Sequence, residues 1–256
     1  MPAMSVRVYA LTCGWLTGPM SGFLAGEEGR LRVPIPCFLI EHPRGTVLFD
    51  SGMHPAAQSD PAGRLGLAAR VFDVEFQPGE EVAARLAALD VDAGRVRYLV
   101  NSHLHFDHTG GNATIPNAQL VVQRSEWQAG HDADLIRRNF YDPKDYDTGH
   151  DVLRIDGEHD LFGDGRVVCL PTYGHTPGHQ SLRVQLDSGP IVLTGDACYL
   201  RRTLEKLHLP SVVYDEAAMR ASLQRLRALR DAGARIVYGH DPEFWATVPQ
   251  APAALA

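Results

Sequence analysis

The chain has 256 residues, 45% of them hydrophobic and 21% charged, with a net charge of −7 when histidine is neutral. That length suits one large domain or two small ones, and the composition suits a globular protein with a substantial core. The acidic balance, without a basic run to neutralise phosphates, argues against a nucleic-acid partner, and no apolar run nears the ~20 residues of a membrane span.

No basic stretch followed by an apolar one opens the sequence, so no signal peptide is expected. The four cysteines, Cys13, Cys37, Cys169 and Cys198, are scattered without a C-x-x-C pair. Reduced, buried thiols in a cytoplasmic protein are the expectation.

Alternation over 5–12 predicts a first strand. Residues 13–33, with Gly and Pro and little periodicity, read as a long loop in which Met20, Phe23 and Leu24 could wall an apolar pocket. Residues 35–41 and 46–50 flank His42-Pro-Arg-Gly45 and predict a hairpin. Asp50 ends its second strand, either supporting a site or capping a turn. Residues 53–77 look irregular, and 78–89 carries Val82, Leu86 and Leu89 at helical spacing.

A buried strand at 96–100 leads into Asn101–Asn112, where His103, His105, Asp107 and His108 fall within six positions. Imidazole nitrogen and carboxylate oxygen suit zinc and its neighbours. If that loop is extended, His103, His105 and Asp107 point one way, and the Thr109-Gly-Gly-Asn112 turn lets His108 join them.

Beyond it, 119–123 predicts a strand, with Ser125 as N-cap of a short helix. Residues 131–150 look like a polar insertion over the surface, with His131 and His150 solvated. Strands follow at 166–170, 181–186 and 191–194. Asp215 should cap a helix carrying Met219, Leu223, Leu226 and Leu229, stopped by Gly233. A strand at 235–239 ends in His240, and the tail from Val248 should fray. Strands interleaved with helices and hairpins indicate a mixed α/β fold.

Each later strand end offers a ligand: His175 and His179 after 166–170, Asp196 after 191–194, and His240 after 235–239. A glycine precedes His175, Asp196 and His240, which lets backbone approach a crowded centre. His103, His105 and His175 would make one three-nitrogen site. Asp107, His108 and His240 would make a second, with Asp196 and a shared hydroxide bridging. Seven ligands exceed one zinc's needs and point to two metals, roughly 3.5–4 Å apart.

His-Leu-His-Phe-Asp-His at 103–108, with His175, Asp196 and His240 in order behind it, resembles the metallo-β-lactamase-fold hydrolases. The resemblance runs from the hairpin at 35–50 to His240. It implies an αββα sandwich of two mixed sheets with helices outside, expected here as one domain over 1–256. Within that superfamily the chain looks most like the N-acyl-homoserine lactonases of the quorum-quenching branch. Ser102–Asn112, Gly174–Leu182, Asp196–Tyr199 and Gly239–Asp241 carry this likeness.

The likeness implies a metal-dependent carboxylic-ester hydrolase with two divalent ions. Zinc is the first expectation, and cobalt, manganese and iron accept the same ligands. A metal-bridging hydroxide would open the lactone ring of an acyl-homoserine lactone. Tyr199 maps to the tyrosine that contacts the substrate carbonyl, and Asp107 would pass a proton to the leaving oxygen. His179 maps to a supporting position rather than a ligand. The partner expected is a small lactone, with no nucleic acid or membrane, and the protein a monomer or homodimer. Another lactone, as in pyridoxolactonases, or a glyoxalase-II-like thioester is the alternative substrate on the same centre. A glutathione thioesterase would bring a basic cluster near the C-terminus, whereas the tail after His240 holds no Lys or Arg. Flavo-diiron oxygen reductases share the fold but carry a carboxylate at the position of His105 and an extra flavin domain.

Overall fold

The computed structural model describes residues 5–255. The signal-peptide expectation and the outer limits of the 1–256 domain reach into residues 1–4 and 256, outside that range. Two mixed sheets organise the chain. The first is built from β1 (Arg7–Pro19), β2 (Arg30–His42), β3 (Gly45–Phe49), β4 (Asp73–Glu75), β5 (Tyr98–Val100), β6 (Gln119–Gln123) and β7 (Val152–Ile155). The second uses β8 (His159–Asp160), β9 (Val167–Pro171), β10 (Gln180–Leu186), β11 (Gly189–Leu193) and β12 (Arg235–Val237). A last strand, β13 (Ala254–Leu255), returns to the first sheet. The orders are β13-β1-β2-β3-β5-β6-β7, with β4 also on β1, and β12-β11-β10-β9-β8.

The helices are short apart from one. They are α1 (Pro61–Leu65), α2 (Ala68–Val71), α3 (Val82–Ala87), α4 (Phe106–Thr109), α5 (Arg124–Ala129), α6 (Ala133–Asn139), α7 (Pro143–Tyr146), α8 (Arg201–Lys206), α9 (Glu216–Asp231) and α10 (Pro242–Trp245).

Side-chain alternation along the strands sorts the core into layers. Phe38 and Ile40 of β2, with Phe49 and Val100, pack against Val167, Cys169, Val184 and Leu193 of the second sheet. Their neighbours Cys37 and Leu39 face the other way, onto Val82 and Leu86 of α3. Val168, Leu170, Val192 and Ile236 turn outward from the second sheet onto Met219, Leu223 and Leu226 of α9. The result is an αββα sandwich.

Several expectations from sequence are corrected. Residues 13–33 are mostly strand: β1 and β2 form one long hairpin paired from Arg7↔Glu41 to Pro19↔Arg30. The register shifts between Thr12 and Trp15, so Cys13-Gly14 forms a bulge beside Pro34 and Pro36, and Gly and Pro are tolerated there. The helix expected over 78–89 spans only Val82–Ala87. Residues 53–77 hold α1, α2 and β4. The helix after β6 starts at Arg124, with Gln123 rather than Ser125 at its N-cap. The tail does not fray: Ala254 and Leu255 pair with β1, and the Ala251 amide donates to the Ala10 carbonyl. Strands β7 and β8 were not anticipated. The cap on α9 is as expected, the Asp215 side chain accepting from the Ala218 amide. All four cysteines are buried and free. No helix among the described residues is long and apolar enough to cross a membrane.

Candidate metal centre

Strands β3, β5 and β6 run parallel, as do β11 and β12. Their carboxyl ends therefore meet at one rim, and each delivers a polar side chain: Asp50, the His103–His108 loop, Glu126, Asp196 and His240. The turn after β9 adds His175. The backbones crowd there as the glycines foretold, since a Cβ on Gly239 would lie 2.3 Å from the Gly195 carbonyl oxygen.

All seven sequence-predicted ligands converge, in two groups. In the first, His103 Nε2 lies 2.8 Å from His105 Nδ1. His175 Nε2 sits 3.3 Å and 3.1 Å from those two atoms. In the second, His108 Nε2 lies 3.6 Å from Asp107 Oδ2, and His240 Nε2 lies 3.9 Å from the same oxygen. Asp196 stands between the groups. Its Oδ2 is 3.4 Å from His175 Nε2 and 3.7 Å from His103 Nε2. Its Oδ1 is 3.0 Å from His240 Nε2 and 3.2 Å from His108 Nε2.

The outer ring nitrogens determine what the inner ones present. His240 Nδ1 faces the Pro34 carbonyl at 2.8 Å and must donate to it. His108 Nδ1 donates to Asp50 Oδ2 at 2.9 Å. The Ser102 hydroxyl donates to Asp50 Oδ2 at 2.8 Å, so its oxygen accepts from His103 Nδ1 at 2.9 Å. His103, His108 and His240 thus each turn a bare lone pair inward. Ring nitrogens 2.8–3.3 Å apart match the edge of a zinc tetrahedron, since bonds of ~2.0–2.1 Å space the nitrogens about 3.3 Å apart. His108 Nε2 and Asp196 Oδ1 are likewise buried without a hydrogen-bond partner. The donor set fits two divalent ions.

The charge state supports the same view. Burial, with the neighbouring imidazoles, holds His103 and His175 well below the usual histidine range. Burial also pulls on His108 and His240, but the Asp196 and Asp107 carboxylates overcome it and raise both. That half of the centre attracts positive charge, whether proton or metal. His179 is not turned to either group: its Nε2 accepts the Asp196 amide at 3.0 Å and its Nδ1 meets Thr172 Oγ1 at 2.9 Å. Burial drives it down to about 3, so it stays neutral. Tyr199 lies at the rim, its hydroxyl 3.3 Å from His175 Nδ1 and its ring edge-on to Phe23. Burial and the Asp196 and Asp107 charges raise its phenol, which keeps its proton.

Of the two readings of Asp50, the supporting one holds: it accepts from the Ser102 amide and hydroxyl and from His108. The insertion at 131–150 is no mere surface cover. Tyr141 and Tyr146 are buried in a small core with Leu104, and the Tyr141 ring lies 5.5 Å from that of His105. His131 is exposed as expected, whereas His150 is half-buried and bonds the Ile115 carbonyl. Sequence reasoning missed Glu126 and Tyr141. Only the placement of Glu126 just past a strand end hinted at a role.

Residues 30–240 match the family model described as the metallo-beta-lactamase superfamily. The chain belongs to that superfamily. Within it, the chain is 35% identical over 258 residues to the N-acyl homoserine lactonase AttM of Azorhizobium caulinodans, spanning 96% of this chain and 97% of the relative. The N-acyl homoserine lactonase AiiA of Bacillus thuringiensis subsp. kurstaki is 28% identical over 225 residues, 83% of each chain. A solved N-acyl homoserine lactone hydrolase, with the product N-hexanoyl-L-homoserine at its catalytic metal centre, superposes with a TM-score of 0.88. Its identity is 26%, and the match covers 98% of this chain and 100% of that one.

Proposed function

We propose that this protein is a dinuclear metal-dependent hydrolase that opens the lactone ring of N-acyl homoserine lactones. In this reading residues 1–256 act as one catalytic domain, cytoplasmic, and monomeric or homodimeric. The observation that carries it is a two-group His/Asp centre with a phenol at its rim, in a chain similar to lactonases along nearly its whole length.

His103, His105 and His175 would hold one ion and Asp107, His108 and His240 the other, with Asp196 shared between them. Zinc is the first choice of metal. When bound, such ions polarise a carbonyl and make water nucleophilic near neutral pH.

The chain's own residues supply the rest. Tyr199, protonated by virtue of its burial, donates to the carbonyl oxygen as negative charge builds on it. Asp107 takes a proton from the attacking water and delivers it to the ring oxygen as the ester C–O bond breaks. The product is a carboxylate and an alcohol, with net release of one proton. Asp50 and His179 hold His108 and Asp196 in place. Incubating zinc-loaded protein with N-hexanoyl homoserine lactone should yield a product heavier by one water in a mass spectrum. An unchanged lactone would overturn the proposal.

A further inference from the structure

The strongest unassigned feature is a carboxylate, Glu126, at the start of α5. It is fully buried and makes no hydrogen bond to either His/Asp group. Its Oε1 accepts the Leu104 amide at 3.1 Å and the Tyr141 hydroxyl at 2.6 Å. Its Oε2 accepts the Gly178 amide at 2.7 Å. Leu104 stands between His103 and His105, and Gly178 lies three residues past His175. One side chain therefore ties together the two loops that bring the three imidazoles of the first group. The second group, Asp107, His108 and His240, receives none of these bonds.

The packing is built for this tie. A Cβ on Gly178 would fall 2.2 Å from the Glu126 amide nitrogen, so only glycine lets the His175 loop close onto α5. The Leu104 side chain turns away from its flanking histidines into the core with Tyr141 and Tyr146. Tyr141 is thus held twice, by its ring and by its hydroxyl.

The geometry points to Glu126 as the positioning residue for the His103–His105–His175 half of the centre, with Tyr141 linking the 131–150 segment to it. This rests on the metal reading of those histidines. A carboxylate is required because both oxygens accept from backbone N–H groups. Glutamine keeps the shape but sets an NH2 against one of those donors, whichever way it is turned, and strands that amide in a buried place.

The test is a zinc titration of Glu126→Gln and Tyr141→Phe against a chromophoric chelator, on metal-stripped protein, with the wild type alongside. Wild type should bind two equivalents. Glu126→Gln should bind one as wild type does and the other ten- to hundredfold more weakly, as for partners behind metal ligands generally. Tyr141→Phe should weaken the same equivalent by a smaller factor, and it carries the test should Glu126→Gln fail to fold. A merely structural Glu126 would weaken both equivalents alike, and an idle one would leave both unchanged; either result overturns the inference. Wild-type protein that binds no zinc would overturn the metal reading as well.

Discussion

Ser102 donates its hydroxyl proton to Asp50, and that donation sets the tautomer of His103. Asp50 does the same for His108. In Asp50→Asn an NH2 would face His108 Nδ1 or Ser102, and the imidazole could escape only by moving its proton to Nε2, which masks a ligand. Zinc affinity should fall about ten- to hundredfold, measured by chelator competition; unchanged affinity would leave Asp50 a turn cap. Tyr199→Phe removes a donor at the rim without touching a ligand nitrogen. Turnover should drop on the order of tenfold to a hundredfold, at or below the loss typical of an oxyanion donor, with metal content intact. Loss of metal in that variant would make Tyr199 structural. Asp107→Asn should lose both metal and rate, and full activity would remove its proton-transfer role. At this scale the sequence was most legible. Seven ligands separated by up to 137 positions were named because each His or Asp sits where an apolar strand stops. Glu126 and Tyr141 escaped because a buried carboxylate and a phenol mean nothing until their partners, two loops away, are known.

Among the elements, the 131–150 segment carries the clearest pH signature. Asp145 on α7 is buried beside Arg64 of α1, and burial, outweighing the arginine, pushes it up to about 7. An unfolded chain releases that proton near 4. Between those limits the folded protein binds more protons, so its stability should decline as pH rises from about 4 to 7, by a few kcal/mol at most. Denaturant melts at pH 5 and pH 8 would show this, and Asp145→Asn should shrink the difference between them. An equal difference in the variant would place the effect elsewhere. Elements with regular alternation or helical spacing, such as β6 and α9, were recoverable from sequence. The outer half of the β1–β2 hairpin was not, because Gly14, Pro34 and Pro36 break the pattern at the bulge that accommodates them. Nor was the burial of 131–150, which depends on Arg64, Glu126 and Leu104 rather than on local periodicity.

For the molecule as a whole, two sheets pressed together bring six strand ends to one rim, and the centre is assembled only when both sheets are in place. His103, His105, Asp107 and His108 come from the first sheet, while His175, Asp196 and His240 come from the second. Metal bound across that seam should stabilise the fold by linkage. Stripping it should lower the melting temperature, and zinc should restore it. The sandwich was legible through the motif that the family shares, whereas the segments at 20–29, 53–77 and 131–150 take shapes that only the assembled fold defines. The most direct measurement is acid release by zinc-loaded protein across a panel: acyl-homoserine lactones of several chain lengths, a pyridoxolactone, S-lactoylglutathione and a β-lactam. Acyl-homoserine lactones should be opened fastest, with the activity lost to a chelator and regained with zinc. Opening of no homoserine lactone at any chain length, by protein carrying two zinc ions, would contradict the proposed function.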